Sequence, residues 1–313
     1  MSAEQGSSTT RRAVATAYGE PAEVVRIVGA DTGVPGPGEV LVAVTAAGVN
    51  PFDAKQVRGQ VGDDPSKLPL PLGGEAAGVV QSAGTESGLS AGDEVVVYPV
   101  TGAFSDSVLV PAANVYAKPA GLADDQAAGL LLAGVTAADI LATLGPAKVL
   151  LVHGGAGAVG SIVVARAVAD GATVLATASP ANHDHLRSLG AVPVDYSGDL
   201  EAAVRAAAPG PVDAVADTVG TDQAIDVSLN LVPADRIVSI AAWGRSGDGI
   251  TLVGGSTEES KKNRRDAVPG LLADAAAGKI VVEIAGTYRL PETAAALEAV
   301  GGRHPRGKLI IRP

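Results

Sequence analysis

The sequence predicts an α/β fold in two parts, a β-rich barrel-like module and a doubly wound parallel sheet. Three observations predict it. The first third of the chain reads as strands with turn signals between them and no alternating helices. The second half alternates strand and helix at the period of βαβ units. Between them, at 148–160, the run KVLLVHGGAGAVG carries an apolar β-branched strand straight into a glycine turn. A length of 313 residues suits about two domains, and 47% hydrophobic residues can fill a core for each. Low aromatic content, 3%, fits tight Ala/Gly-mediated packing of helix on sheet.

Strands are expected at 13–18, 23–28 and 39–47, with the VPGPGEV turn before the third, and again at 74–83, 93–100 and 105–110. A helical stretch at 124–143 follows, restarting near GVTAADIL. Strands are then expected at 149–152, 173–178, 192–195, 212–217 and 236–241. The intervening helices fall at 161–169, 182–189, 200–208 and 223–231. The tail offers helix 260–277, strand 280–285, helix 291–300 and strand 308–311. No internal repeat of 20–50 residues appears. The expected domains are 1–119 with 257–313, and 120–256.

Charge and composition exclude several classes. A net charge of −11 repels nucleic acid and anionic membranes. No apolar run of membrane-spanning length occurs. The polar start MSAEQGSSTTRR lacks an apolar core and reads as a disordered segment rather than a signal peptide, so a cytoplasmic location is expected. There is no cysteine, which removes disulfides, thiol nucleophiles and cysteine-ligated zinc.

The glycines at 155, 157 and 160 form GxGxxG, and with 40 glycines in the chain the motif alone means little. Its position between a buried strand and a helix gives it meaning. Gly155 permits the tight turn, Gly157 lets backbone approach a pyrophosphate, and Gly160 lets helix and strand pack closely. Gly155, Ala156, Gly157, Ala158, Val159 and Gly160 are therefore the expected dinucleotide cradle. A site preferring the unphosphorylated ribose needs an acid at the end of the next strand. That strand ends Thr177-Ala178-Ser179-Pro180, so a 2′-phosphate meets no carboxylate, and NADPH is the expected cofactor.

Several blocks together resemble the medium-chain dehydrogenase/reductase superfamily, specifically its zinc-free quinone oxidoreductase (zeta-crystallin-like) branch. They are AGVNPFDAK at 47–55, GGEAAGVV at 73–80, GDEV at 92–95, GVTA at 134–137, HGGAGAVG at 153–160 and GKLIIRP at 307–313. The resemblance implies a GroES-like catalytic domain and a Rossmann domain with NADPH in the cleft. It implies hydride transfer to a quinone or to the β-carbon of an α,β-unsaturated carbonyl, and a homodimer paired through the Rossmann sheet edge at 236–241. Zinc-bearing relatives place a cysteine near Asn50 and a four-cysteine lobe after a segment like 93–97, and neither is present here, so no metal is expected.

Hydride transfer asks the protein for positioning and for a donor aimed at the developing oxyanion. Asn50 is the first candidate, to the substrate oxygen or the cofactor ribose, with capping of the helix begun by Pro51 as the alternative. Lys55, at a position where relatives often carry Tyr or Lys, and Tyr98 are further catalytic candidates. Phe52, Tyr98 and Trp243 are candidate substrate-pocket walls. Thr136, Ala241, Ala242 and Trp243 fall in blocks that face the nicotinamide in relatives. Ser179 and His183, with Asn182 and Arg187 nearby, are the candidate 2′-phosphate contacts. Each has a structural alternative: an exposed helix lysine, ordinary packing, or a decorated surface helix. Glu75, Asp53, His153 and Asp217 read as structural, and Arg303, His304 and Arg306 as a solvated basic loop. Two alternative functions stand beside the reductase: a pathway-specific enoyl reductase and an NADPH-binding protein without turnover.

Overall fold

The computed structural model describes residues 9–302 and 306–313. The chain divides into two compact units, residues 1–132 with 281–313, and residues 133–280.

The first unit is built on antiparallel pairing. Its strands are β1 (Thr9–Ala15), β2 (Val25–Asp31), β3 (Glu39–Val49), β4 (Leu70–Pro71), β5 (Ala76–Ala83), β6 (Glu94–Val97), β7 (Ser107–Pro111) and β8 (Val115–Ala117). Short helices α1 (Pro21–Val24), α2 (Pro51–Val57) and α3 (Asp124–Ala128) lie between and after them. β1 pairs with β2 and β4 in a three-stranded sheet, while β3, flanked by β5 and β7, anchors a seven-stranded one. Val40, Val42 and Val44 of β3, Val80 of β5 and Val108 and Val110 of β7 pack with Phe104, Leu72 and Leu297 in one core. Gly78 is required there: a Cβ would stand 2.1 Å from the Ala43 carbonyl oxygen of the neighbouring strand.

The second unit alternates as expected: α4 (Leu131–Leu144, its first two residues in the first unit), β9 (Val149–His153), α5 (Ala158–Ala169), β10 (Thr173–Ala178), α6 (His183–Ser188), β11 (Val192–Asp195), α7 (Leu200–Ala207), β12 (Ala214–Asp217), α8 (Asp222–Leu231), β13 (Ile237–Ser239), β14 (Thr251–Leu252) and α9 (Glu258–Ala276). All its strands run parallel in the order β11-β10-β9-β12-β13-β14. The order reverses beside β9, the switch point at which such sheets bind ligands.

The chain returns to the first unit as β15 (Ile284–Arg289), α10 (Thr293–Gly301) and β16 (Lys308–Arg312), with β16 antiparallel to β3. The return comes at Val281 rather than at 257 because α9 packs inside the second unit. Gly134 of α4 abuts Leu271, Arg166 pairs with Asp274, and Asp139 binds Ser260 and Arg264. Two further expectations shift. The helix at 124–143 breaks at Gly129 into α3 and α4. The strand expected at 236–241 as the sheet edge is hydrogen-bonded on both sides, and β14 is the edge beyond it, with β11 at the opposite edge.

Candidate functional site

The glycine turn lies at the carboxyl end of β9. Gly160 packs so closely that a Cβ would sit 2.2 Å from the Gly154 carbonyl oxygen, and at Gly155 one would sit 2.7 Å from the Ala176 methyl. At Gly157 the nearest atom to such a Cβ is 3.3 Å away. Gly157 is exposed and N-caps α5, with no side chain capping the helix. The first amides of a twelve-residue helix are thus available, and the dipole there favours an anion. The cradle fits a pyrophosphate.

A buried polar chain braces this turn. Ser228 Oγ gives its proton to the Ala224 carbonyl at 2.6 Å, so it accepts from His153 Nε2–H at 3.2 Å. His153 Nδ1 is left to accept from the Thr177 hydroxyl at 3.4 Å, and Thr177 Oγ1 accepts from the Gly154 amide at 3.1 Å. Burial, opposed by Asp217, pushes the His153 imidazole down to about 4, so it stays neutral. The sign follows: the unfolded imidazole protonates near 6.5 while the folded one does not, so stability is lost as pH falls from about 6.5 to about 4. His153→Asn should flatten that acid limb by roughly 3 kcal/mol, read as the pH dependence of Tm relative to the parent protein.

Asp217 organises the next two loops. Its carboxylate accepts from the Val219 and Gly220 amides and from Ser239 Oγ at 2.5 Å, and Ser239 Oγ accepts from the Ala241 and Ala242 amides. Ala242 is buried, whereas Trp243 is 52% exposed, with its indole N–H donating to the Ile240 carbonyl. Arg245 then fastens this loop through Asp222, Asp226 and Asp248. At the other side of the switch point, Asn182 Nδ2 donates to Ser179 Oγ at 3.1 Å. His183 Nε2 donates to the Ala178 carbonyl. Asp195 sits beside Ala178 on β11, held below the usual carboxylate range by the Ser197 amide and hydroxyl, with a smaller contribution from His183. Arg187 is paired with Asp184. Thr136 is buried on α4.

In the first unit, Asn50 closes β3 and N-caps α2. It is 2% exposed. Its backbone N–H donates to Asp53 Oδ2 at 2.8 Å, and its side-chain N–H groups donate to the Gly48 carbonyl and to Glu75 Oε1 at 3.0 Å. Its Oδ1 accepts from Lys308 Nζ, which also pairs with Glu75 Oε1 at 2.9 Å. Glu75 Oε2 accepts from the Leu132 amide. The Asn50 carboxamide is therefore committed inside the protein. Burial pushes the Asp53 carboxyl up to about 7, against the Asn50 amide and the Lys308 charge. Phe52, 48% exposed, and Lys55 project from the outer face of α2, and Tyr98 is half-buried after β6. Lys308 and Asp139 were not singled out from sequence. A lysine opening an apolar strand is the one local signal for the former. Arg303 and His304 lie outside the described residues, and Arg306 pairs with Glu283.

These features match known proteins. Residues 36–120 match the alcohol dehydrogenase GroES-like domain, and residues 189–311 match the zinc-binding dehydrogenase family. A 2-haloacrylate reductase of a Burkholderia species is 32% identical over 314 residues, covering 90% of this chain and 92% of that protein. The chain belongs to the medium-chain dehydrogenase/reductase superfamily. A quinone oxidoreductase of Pseudomonas syringae is similar across 97% of this chain and all of its own, with 30% identity and a TM-score of 0.84. A mycobacterial protein solved in complex with NADPH is 28% identical over 97% of this chain and 100% of its own, with a TM-score of 0.83. The rat synaptic vesicle membrane protein VAT-1 homolog is 34% identical over 213 residues, 66% of this chain, and this match spans only 52% of its length.

The zinc in the family's description does not fit these residues. The chain has no cysteine, and among the described residues no three His, Asp or Glu side chains gather as a metal donor set. No helix among them is long and apolar enough to cross a membrane.

Proposed function

We propose that the protein is a zinc-independent, NADPH-dependent reductase of quinones or α,β-unsaturated carbonyls. The uncapped start of α5 at the exposed Gly157, beside a β10 end that carries Ser179 and no acid, is the observation that carries this reading. Gly155 to Gly160 would hold the pyrophosphate, and Ser179, Asn182 and His183 the 2′-phosphate. Ala241, Ala242, Trp243 and Thr136 would border the nicotinamide, which supplies the hydride. In the first unit Phe52 and Tyr98 are the proposed acceptor contacts and Lys55 the proposed donor to the developing oxyanion, and in the second unit Trp243 is a proposed acceptor contact. The relatives named for reduction of 2-haloacrylate and quinones support an electron-poor alkene or quinone as acceptor. A homodimer is part of the same proposal, with β14 as the strand available for pairing, and sedimentation tests it.

NADPH oxidation measured against quinones, enones, a 2-haloacrylate and an enoyl thioester tests the activity. Turnover with at least one acceptor is expected, and preference for the thioester would point to a pathway enoyl reductase. Tight NADPH binding with no turnover on any would replace this reading with that of a binding protein. Ser179→Asp should place a carboxylate where the 2′-phosphate lies and raise KM for NADPH by about a hundredfold, with little change for NADH. An unchanged ratio would remove Ser179 from the site.

A further inference from the structure

We propose that Lys308 is the positioning residue of the candidate site: its buried ammonium, seated between Glu75 and Asn50, fixes the Asn50 carboxamide and the 50–55 turn that presents Phe52 and Lys55. The inference rests on the reductase reading and deepens it.

Asn50, Glu75 and Lys308 form a closed ring in which every pair is hydrogen-bonded. The ring has one polarity. The ammonium can only donate and the carboxylate only accept, so Oδ1 of Asn50 must face Lys308 and Nδ2 must face Glu75. A flipped amide would set donor against donor and acceptor against acceptor. The ring joins segments distant in sequence: the end of β3, the turn before β5 and the start of β16. Two glycines close around it. A Cβ at Gly48 would stand 2.6 Å from Glu75 Oε1, and one at Gly129 would stand 2.8 Å from Lys308 Cγ. The lysine side chain is 4% exposed and Glu75 fully buried, so neither charge can turn to water for compensation. The GroES-like unit, whose described residues gather no metal donor set, carries a covalently attached cation. That cation is seated on Asn50 and Glu75, and Asn50 begins α2, so it acts on the 50–55 turn through Asn50.

Three variants test the assignment: Lys308→Met, Lys308→Arg and the double variant Lys308→Met with Glu75→Gln. The double variant removes both buried charges and should recover most of the Tm lost in Lys308→Met. Its kcat should still fall by about a hundredfold, the cost of a misplaced site, with KM for NADPH changed less than about threefold. Lys308→Arg, which keeps the charge, should restore part of kcat. Hydrogen exchange at 48–57 should accelerate by about tenfold in the double variant, and exchange at 149–165 should not change. Full kcat together with recovered Tm in the double variant would overturn the proposal and leave Lys308 a stabilising ion pair. If the parent protein turns over no acceptor, the reductase reading fails, and the exchange measurement alone decides the role of Lys308.

Discussion

Gly160→Ala is expected to abolish measurable NADPH binding and to destabilise the Rossmann unit. The added methyl would sit 2.2 Å from the Gly154 carbonyl oxygen and 2.9 Å from the Gly155 Cα. Both neighbours are backbone, so no side-chain rotation relieves the overlap. The turn must open, or α5 must lift from β9 and β10, and either costs about 3 kcal/mol, the upper range for overpacking. Opening would also move the α5 amides off the proposed pyrophosphate position, so affinity should fall by at least about a hundredfold. Gly157→Ala is the control, since its methyl meets nothing closer than 3.3 Å. It should fold normally and weaken binding only by crowding the pyrophosphate. Calorimetric titration with NADPH and thermal melts of both variants separate the two effects. Equal Tm in Gly160→Ala and the parent protein would contradict the packing argument.

Asp53→Asn should stabilise the protein at neutral and alkaline pH and leave it unchanged near pH 4. The Asp53 carboxyl is pushed up to about 7 from 3.8, chiefly by burial. Between those values the unfolded chain releases the proton and the folded chain keeps it. Stability contributed by this group is complete below about 4 and is lost as pH rises through about 7. The loss reaches on the order of 4 kcal/mol. Asparagine offers the Asn50 amide the same acceptor without the charge, so the difference between variant and parent protein should grow from pH 4 to 7 and then level off. Denaturant melts across that range give the curve, and a difference constant with pH would exclude Asp53 as its source. The slope opposes that of His153, which removes stability on the acid side.

Much of the second unit was legible because its signals are local. The β9 strand, the glycine turn and α5 occupy consecutive residues, and Gly160 answers a close approach to Gly154 within the same segment. The return to the first unit was less legible. The apolar run at 280–285 attracts a strand assignment, but its pairing partner β16 takes up Ile284–Arg289 with a register shift near Gly286. α9 could not be placed by its own pattern, because Asp139 and Leu271 hold it to α4 through contacts formed only in the folded chain. The site divides in the same way. Asn50-Pro51 announces a helix start at the end of a strand, whereas Lys308 reaches Asn50 across 258 residues. No local spacing encodes that pair.

The position of Trp243 gives the protein its own optical reporter. It is the sole indole in the chain, half in water on the turn after β13, with Gly254 against its ring and Arg245 fastening the turn beyond it. Tryptophan emission from the whole molecule therefore originates at one loop. Quenching, a spectral shift or energy transfer to a reduced nicotinamide reads the state of that loop without a label, and a change in folding elsewhere leaves the signal dark until it reaches the turn.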